Sequence, residues 1–258
     1  MNKEHIISVD ASKCNGCGLC LRDCPHKLWR ITGGSAEILS QDCLKCGHCV
    51  AICPQGAIGI SGFEDTPEEI SAEDQPDAET LLSMMKQRRS IRHFTSQDVS
   101  AEIIDRILDA GRYSPTAMNR QAVSYVVLRE HIGEYERTAV SALRALQPVV
   151  GLVYKQFRRF RVDDHFFFRG APVVIVVKSN NVVDGALAAA AMELTARSYG
   201  LGVLYNGLFP MAVKLSPALR RRLSAVSRSR IVVALVLGYP AVKYHRTAQR
   251  ESPLVQYD

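Results

Sequence analysis

All eight cysteines of this chain lie between residues 14 and 53, in two copies of one spacing. Cys14, Cys17, Cys20 and Cys24 precede Pro25; Cys43, Cys46, Cys49 and Cys53 precede Pro54. The flanks repeat too, with Leu28 and Ile31 after the first copy and Ala57 and Ile60 after the second. A unit of about 30 residues has been duplicated. Three cysteines at steps of three residues in a tight turn aim three sulfurs at one point, which suits three irons of a cubane. A structural zinc site uses pairs of cysteines with a longer insert between them. Disulfides need an oxidising compartment. The first five residues carry both charge signs and no apolar stretch, so no secretory signal and a cytoplasmic location are expected. Cys46-Gly47-His48-Cys49 alone looks like a redox dithiol, but the wider register takes both sulfurs. Gly16, Gly18 and Gly47 suit turns in which backbone approaches sulfide closely. His26 and His48 sit at no ligand spacing.

The doubled C-x2-C-x2-C-x3-C-P pattern resembles the bacterial ferredoxins with two [4Fe–4S] clusters, over residues 1–60. In that pattern each fourth cysteine ligates the other cluster. The resemblance implies Cys14, Cys17, Cys20 and Cys53 on one cluster, and Cys43, Cys46, Cys49 and Cys24 on the second. Sixty residues bury little core, and clusters supply the missing cross-links. Strand-like stretches fall at 5–9, 28–31, 37–39 and 57–60. The implied task is electron relay.

Residues 1–79 hold 6 Lys and Arg against 13 Asp and Glu, while residues 80–258 hold 26 against 13. An acidic front thus precedes a basic body. A basic body suits phosphate-bearing ligands, nucleic acid or acidic proteins, or is simply an Arg-rich surface. Residues 61–79 contain eight acids, two prolines and no Lys or Arg. They read as a solvated linker, with packing along the basic body as the alternative. No apolar run approaches the roughly 18 residues of a membrane helix.

From residue 80 helices and strands alternate. Asp77 or Thr80 caps a helix to about residue 88, with Leu81, Leu82 and Met85 on one face. Ser100 caps a second helix carrying Ile103, Ile104, Ile107 and Leu108. Residues 123–128 read as strand and 132–146 as helix. Residues 172–177 form a β-branched run suited to a central strand buried on both faces. An Ala-rich helix at 186–199 and a second buried strand at 231–237 follow. Helices around a central sheet give an α+β or α/β layer protein.

Arg88-Arg89-Ser90-Ile91-Arg92 offers three guanidiniums and a hydroxyl, either for phosphate oxygens or as a solvated basic turn. Ser114-Pro115-Thr116 with Asn119 and Gln121 is a polar loop leading into a strand. Gly200-Leu201-Gly202 lacks the third glycine of a dinucleotide fingerprint and follows a helix, so a Rossmann site is not expected. Leu237-Gly238-Tyr239-Pro240 ends the last strand, and Lys243, Arg246 and Arg250 follow. In this order the four motifs resemble the FMN-dependent nitroreductase family, across about residues 80–258.

That resemblance implies an α+β sheet domain that forms a homodimer with FMN at the subunit interface. Arg88, Arg89, Ser90 and Arg92 would hold the FMN phosphate and ring edge. Pro115, Thr116, Asn119 and Gln121 would lie along the isoalloxazine. The backbone of Tyr205, Asn206 and Gly207 would face the flavin N5 region, and Arg246 or Arg250 would complete the phosphate site. Ala122-Val123 departs from the Pro-Trp that often follows the glutamine in the family. Three segments are thus expected: a ferredoxin domain at 1–60, an acidic linker at 61–79 and a nitroreductase-like domain at 80–258.

Residues 149–169 mix Tyr154, Phe157, Phe160 and Phe166-Phe167-Phe168 with Lys155, Arg158, Arg159 and Arg161. They read either as an amphipathic helix with a core stripe or as an aromatic lid over a flavin. His93, His165 and His245 have no partner at a metal or triad spacing. The expected activity passes electrons from a low-potential donor, ferredoxin or NAD(P)H, through two clusters to FMN. The acceptor would be a nitroaromatic, quinone or activated alkene. The alternative is an electron-carrier subunit that feeds a partner protein. Neither a nucleic acid nor a membrane is expected as partner, because the arginines lie near cofactor loops rather than in one stripe.

Overall fold

The computed structural model describes residues 4–71, 75–153 and 161–258, without the side chains of 149–153. The chain forms two compact units. One runs from Met1 to Pro76 and includes Met118–Arg120; the other comprises Asp77–Ala117 and Gln121–Asp258.

In the first unit, β1 (Ile7–Val9) pairs antiparallel with β4 (Ile58–Ile60), and β2 (Trp29–Thr32) pairs with β3 (Ser35–Ile38). Gly33 and Gly34, both at positive φ, close the second pair, as a tight hairpin with right-handed twist requires. Two short helices, α1 (Leu19–Asp23) and α2 (His48–Ala51), each start after a left-handed glycine, Gly18 and Gly47. These two glycines are equivalent in the duplication, as are the left-handed Gly16 and Lys45. The duplication is therefore written in backbone conformation as well as in cysteines. The small core consists of Ile7, Cys20, Trp29, Ala36 and Ile58, with five further cysteines packed against it.

The second unit is built on a four-stranded sheet of order β5-β6-β8-β7, antiparallel at every pairing. The strands are β5 (Ser124–Leu128), β6 (Val173–Lys178), β7 (Gly202–Asn206) and β8 (Ile231–Gly238). Every residue of β6 is buried. Side chains alternate across a strand, and the two runs divide accordingly. Val174, Val176, Ala234 and Val236 face one layer, with Phe166, Phe167, Phe168, Phe209, Leu219 and Leu223. Val173, Ile175, Val177, Val233, Leu235 and Leu237 face the other, with Ile104, Ile107, Ala189, Met192 and Ala196. Central position, not parallel pairing, makes these runs continuously apolar.

The helices are α3 (Ala78–Lys86), α4 (Ala101–Arg112), α5 (Ile132–Val153), α6 (Val182–Ser198), α7 (Phe209–Leu215) and α8 (Pro217–Leu223). Asp77 caps α3 by accepting from the Glu79 and Thr80 amides, and Ser100 caps α4 through Ile103. Leu81, Leu82 and Met85 form their stripe on α3 but all remain exposed. The fold is α+β. Among the described residues, no helix is long and apolar enough to cross a membrane.

Phe167 and Phe168 are fully buried, and Phe166 nearly so. They sit in a turn, not a helix, and join the core beneath the sheet. Glu136, buried on α5, accepts from the Phe167 and Phe168 amides at 3.0 and 2.7 Å and so fixes the turn. His165 Nδ1 lies 3.6 Å from the same carboxylate. These three phenylalanines are core, not lid. Tyr154, Phe157 and Phe160 lie outside the described residues.

Candidate functional site

The cysteines divide four and four. Cys14, Cys17, Cys20 and Cys53 line one cavity with Gly16, Ile31, Ala36 and Ile58. Cys24, Cys43, Cys46 and Cys49 line another with Leu28, Trp29 and Ile38. Cys24 and Cys53 have thus exchanged sides, each joining the triplet of the other copy. Backbone amides donate to sulfur: Ala36 to Cys14 (3.3 Å), Lys45 to Cys43 (3.2 Å) and Ala57 to Cys53 (3.3 Å). The Ala36 amide, then that of Gly16, holds the Cys14 thiol below its ordinary range. Burial pushes the Cys49 thiol up to about 11. A Cβ on Gly16 would stand 2.4 Å from the Gly34 carbonyl oxygen, so the hairpin admits only glycine there. No three His, Cys, Asp or Glu side chains among the described residues gather closely enough for a single metal ion. Four sulfurs spread around an apolar cavity fit the corners of a larger group, a cubane.

In the second unit, three separated motifs are stitched together at the outer edge of β7. Ser90 bridges to Val203, and the Ile91 amide donates to the Val203 carbonyl at 3.0 Å. Beyond it Thr95 donates to Tyr239, Ala241 donates to His93, and Phe94 bridges to Pro240. The arginine-rich segment is therefore pinned between β7 and the chain leaving β8. That chain places Arg246, Thr247, Ala248 and Gln249 around an open cleft with Arg89. The Arg89 guanidinium lies 5.6 Å from the centre of the Tyr244 ring. Arg250 is exposed and is not among the residues lining the cleft.

The sequence matches the nitroreductase family model over residues 85–239 and the 4Fe-4S dicluster domain model over residues 6–54. The chain belongs to the nitroreductase family. It is 28% identical over 171 residues to a Methanothermobacter thermautotrophicus protein assigned as an NADH dehydrogenase/NAD(P)H nitroreductase, covering 62% of this chain and 78% of that one. A ferredoxin of Methanothermococcus thermolithotrophicus is 33% identical over 57 residues, 21% of this chain and 95% of its own length. A Bacteroides fragilis nitroreductase crystallised with bound FMN shares the fold with a TM-score of 0.54 at 18% identity, over 69% of this chain and 98% of that one. A dicluster domain fused to a nitroreductase makes the chain an iron–sulfur oxidoreductase.

The remaining sequence-selected residues of this nitroreductase take varied places. Arg88 Nη1 lies 3.0 Å from Glu193 Oε2. Arg92 Nη1 reaches the Ser90 carbonyl at 3.5 Å. Pro115 and Thr116 lie in the loop before β5, where the Thr116 hydroxyl accepts from the Gln121 amide at 3.0 Å. Asp184, buried in the first turn of α6, accepts from the Ala117 amide. Met118, Asn119 and Gln121 all have positive φ, strain that ordinary connections avoid. In the first unit, Asn119 Nδ2 donates to the carbonyls of Leu44 and Lys45 at 3.0 and 2.9 Å. The Asn206 side chain is buried, donating to the Phe167 carbonyl and accepting from the Leu208 and Phe209 amides. Burial, then the Glu193 charge, pushes the Tyr205 hydroxyl far above its ordinary range.

Sequence reasoning missed Glu193, Asp184 and Tyr244. Glu193 had a visible signal: a lone carboxylate in phase with the core-facing Ala189, Met192 and Ala196 of an Ala-rich helix. Tyr244 had none, because its role depends on where the last segment returns.

Proposed function

We propose that this chain carries two [4Fe–4S] clusters and one FMN, and that it passes electrons from an external low-potential donor to a small organic acceptor. The donor is ferredoxin or NAD(P)H, and the acceptor a nitroaromatic, quinone or activated alkene. The four-and-four division of the cysteines, in one chain with a nitroreductase fold, carries the reading. One cluster takes Cys14, Cys17, Cys20 and Cys53, the other Cys43, Cys46, Cys49 and Cys24. Clusters pass single electrons, whereas FMN exchanges one electron or a hydride, so the pair converts between the two currencies.

Arg89 and Arg246 hold the FMN phosphate, since paired forked guanidiniums match its oxygens. Tyr244 supports Arg89 from beneath. Arg88, Ser90 and Arg92 continue this contact. Thr116, with the Gln121 backbone it ties down, shapes the ring side, and the Tyr205–Gly207 backbone offers its polar groups to the flavin edge. No acid–base residue is assigned, because positioning the acceptor and stabilising its developing negative charge suffice.

A homodimer with FMN at its interface would account for the outer face of α6. Val183 and Leu187 there are 63% and 43% exposed, and exposed apolar side chains grouped on one face mark an interaction surface. A second copy would cover them. Anoxic isolation tests the whole reading: about eight irons and one FMN per chain are expected, with reoxidation by nitroaromatics or quinones. Zinc in place of iron, or no flavin, overturns it.

A further inference from the structure

Glu193 is an expensive residue where it stands. Its side chain is 3% exposed, on a helix whose neighbouring core positions are Ala189, Met192 and Ala196. A carboxylate is retained in such surroundings only with a partner. Helix spacing offers Arg197, four residues on, as a natural ion-pair partner. Yet Arg197 Nε is buried and without a partner among the described residues, while Glu193 Oε2 meets Arg88, 105 residues away in sequence.

Arg88 is half exposed. One edge of its guanidinium is held by Glu193, and its Cζ stands 6.0 Å from the centre of the Tyr205 ring. Tyr205 is itself fixed by its hydroxyl, which donates to the Ala189 carbonyl at 2.9 Å. A guanidinium has five N–H donors, so the pair with Glu193 leaves donors free on the open side. Without this anchor a long arginine samples many rotamers, and a ligand would have to order it on binding.

We propose that Glu193 is a positioning residue, holding Arg88 ready for the anionic part of the cofactor. This rests on the FMN-binding reading above. Glu193 itself touches no cofactor; it acts through Arg88, with Tyr205 as the second wall.

The test measures FMN affinity of the full-length chain, with clusters intact and flavin removed, by quenching of FMN fluorescence under anoxic conditions. Arg88 is half exposed, so water solvates its guanidinium once the buried carboxylate is replaced by an apolar group of similar size, and Glu193→Leu is expected to fold with a near-wild-type Tm. It should bind FMN about tenfold more weakly. Glu193→Gln, whose amide oxygen still accepts from Arg88, should stay within about threefold of wild type. In an Arg88→Ala background, Glu193→Leu should add nothing. Should the leucine variant not fold, Glu193→Asp, which withdraws the carboxylate by one methylene, carries the test with weakening of about threefold or more. Unchanged affinity in the folded leucine variant, or in the aspartate variant where leucine does not fold, overturns the proposal. So does a full loss that persists without Arg88. A wild-type chain that binds no FMN sinks the parent reading as well, and is told apart from these outcomes by that control.

Discussion

Ile91 packs directly over Gly202: a Cβ on the glycine would stand 2.6 Å from the isoleucine Cγ1. This contact lets the arginine-rich segment lie against β7 and carry Arg88, Arg89 and Arg92 along one edge of the sheet. Gly202→Ala should push that segment outward, destabilising by about 1–3 kcal/mol as overpacking does. It should also weaken FMN binding. Thermal unfolding and flavin titration of the same preparation check both, and a variant with wild-type values would show that the segment is not seated by this contact.

Cysteine replacements should group by cavity, not by position in the sequence. Cys53→Ser should resemble Cys14→Ser, and Cys24→Ser should resemble Cys43→Ser, each pair damaging one cluster. Iron content and EPR of the reduced protein distinguish them. A Cys53→Ser variant that damages the Cys43 cluster would break the assignment.

Arg246 and Arg250 separate cleanly. Arg246 shares the cleft with Arg89, so Arg246→Ala should weaken FMN binding about 10–100-fold, the value of one charge-assisted hydrogen bond. Arg250→Ala should change it by less than about twofold. The reverse order in a flavin titration would move the phosphate site.

Phe167 is fully buried against Phe168 and Phe209. Phe167→Ala should therefore cost about 3–5 kcal/mol of stability, read as a lowered Tm or denaturant midpoint. A residue on a mobile lid would instead change substrate range at constant stability.

Leu187 on α6 supports a dimer prediction. Leu187→Glu should leave the fold intact but shift the chain to monomer by light scattering, with loss of FMN, because a buried unpaired carboxylate at an interface is strongly unfavourable. A dimer of wild-type affinity would remove α6 from the interface.

Much of this protein was legible in one dimension because the relevant interactions are local or periodic. The cysteine register, the Asp77 and Ser100 caps and the β-branched runs of β6 and β8 are patterns set by backbone geometry. Strand β7 and helices α7 and α8 were not legible. Tyr205 and Asn206 end a strand that pairs with β8, some 30 residues on, and no local pattern marks that pairing.

The linear chain by itself determined which residues can bind metal and which stretches form β5, β6 and β8. Spacing of three between sulfurs and alternation of apolar side chains are consequences of local bond geometry. Only the folded chain decided which partners meet: Arg246 beside Arg89, Glu193 beneath Arg88, the phenylalanine turn inside the core. Those choices depend on how distant segments pack, and the free energy that selects them is shared among many contacts that no short stretch of sequence contains.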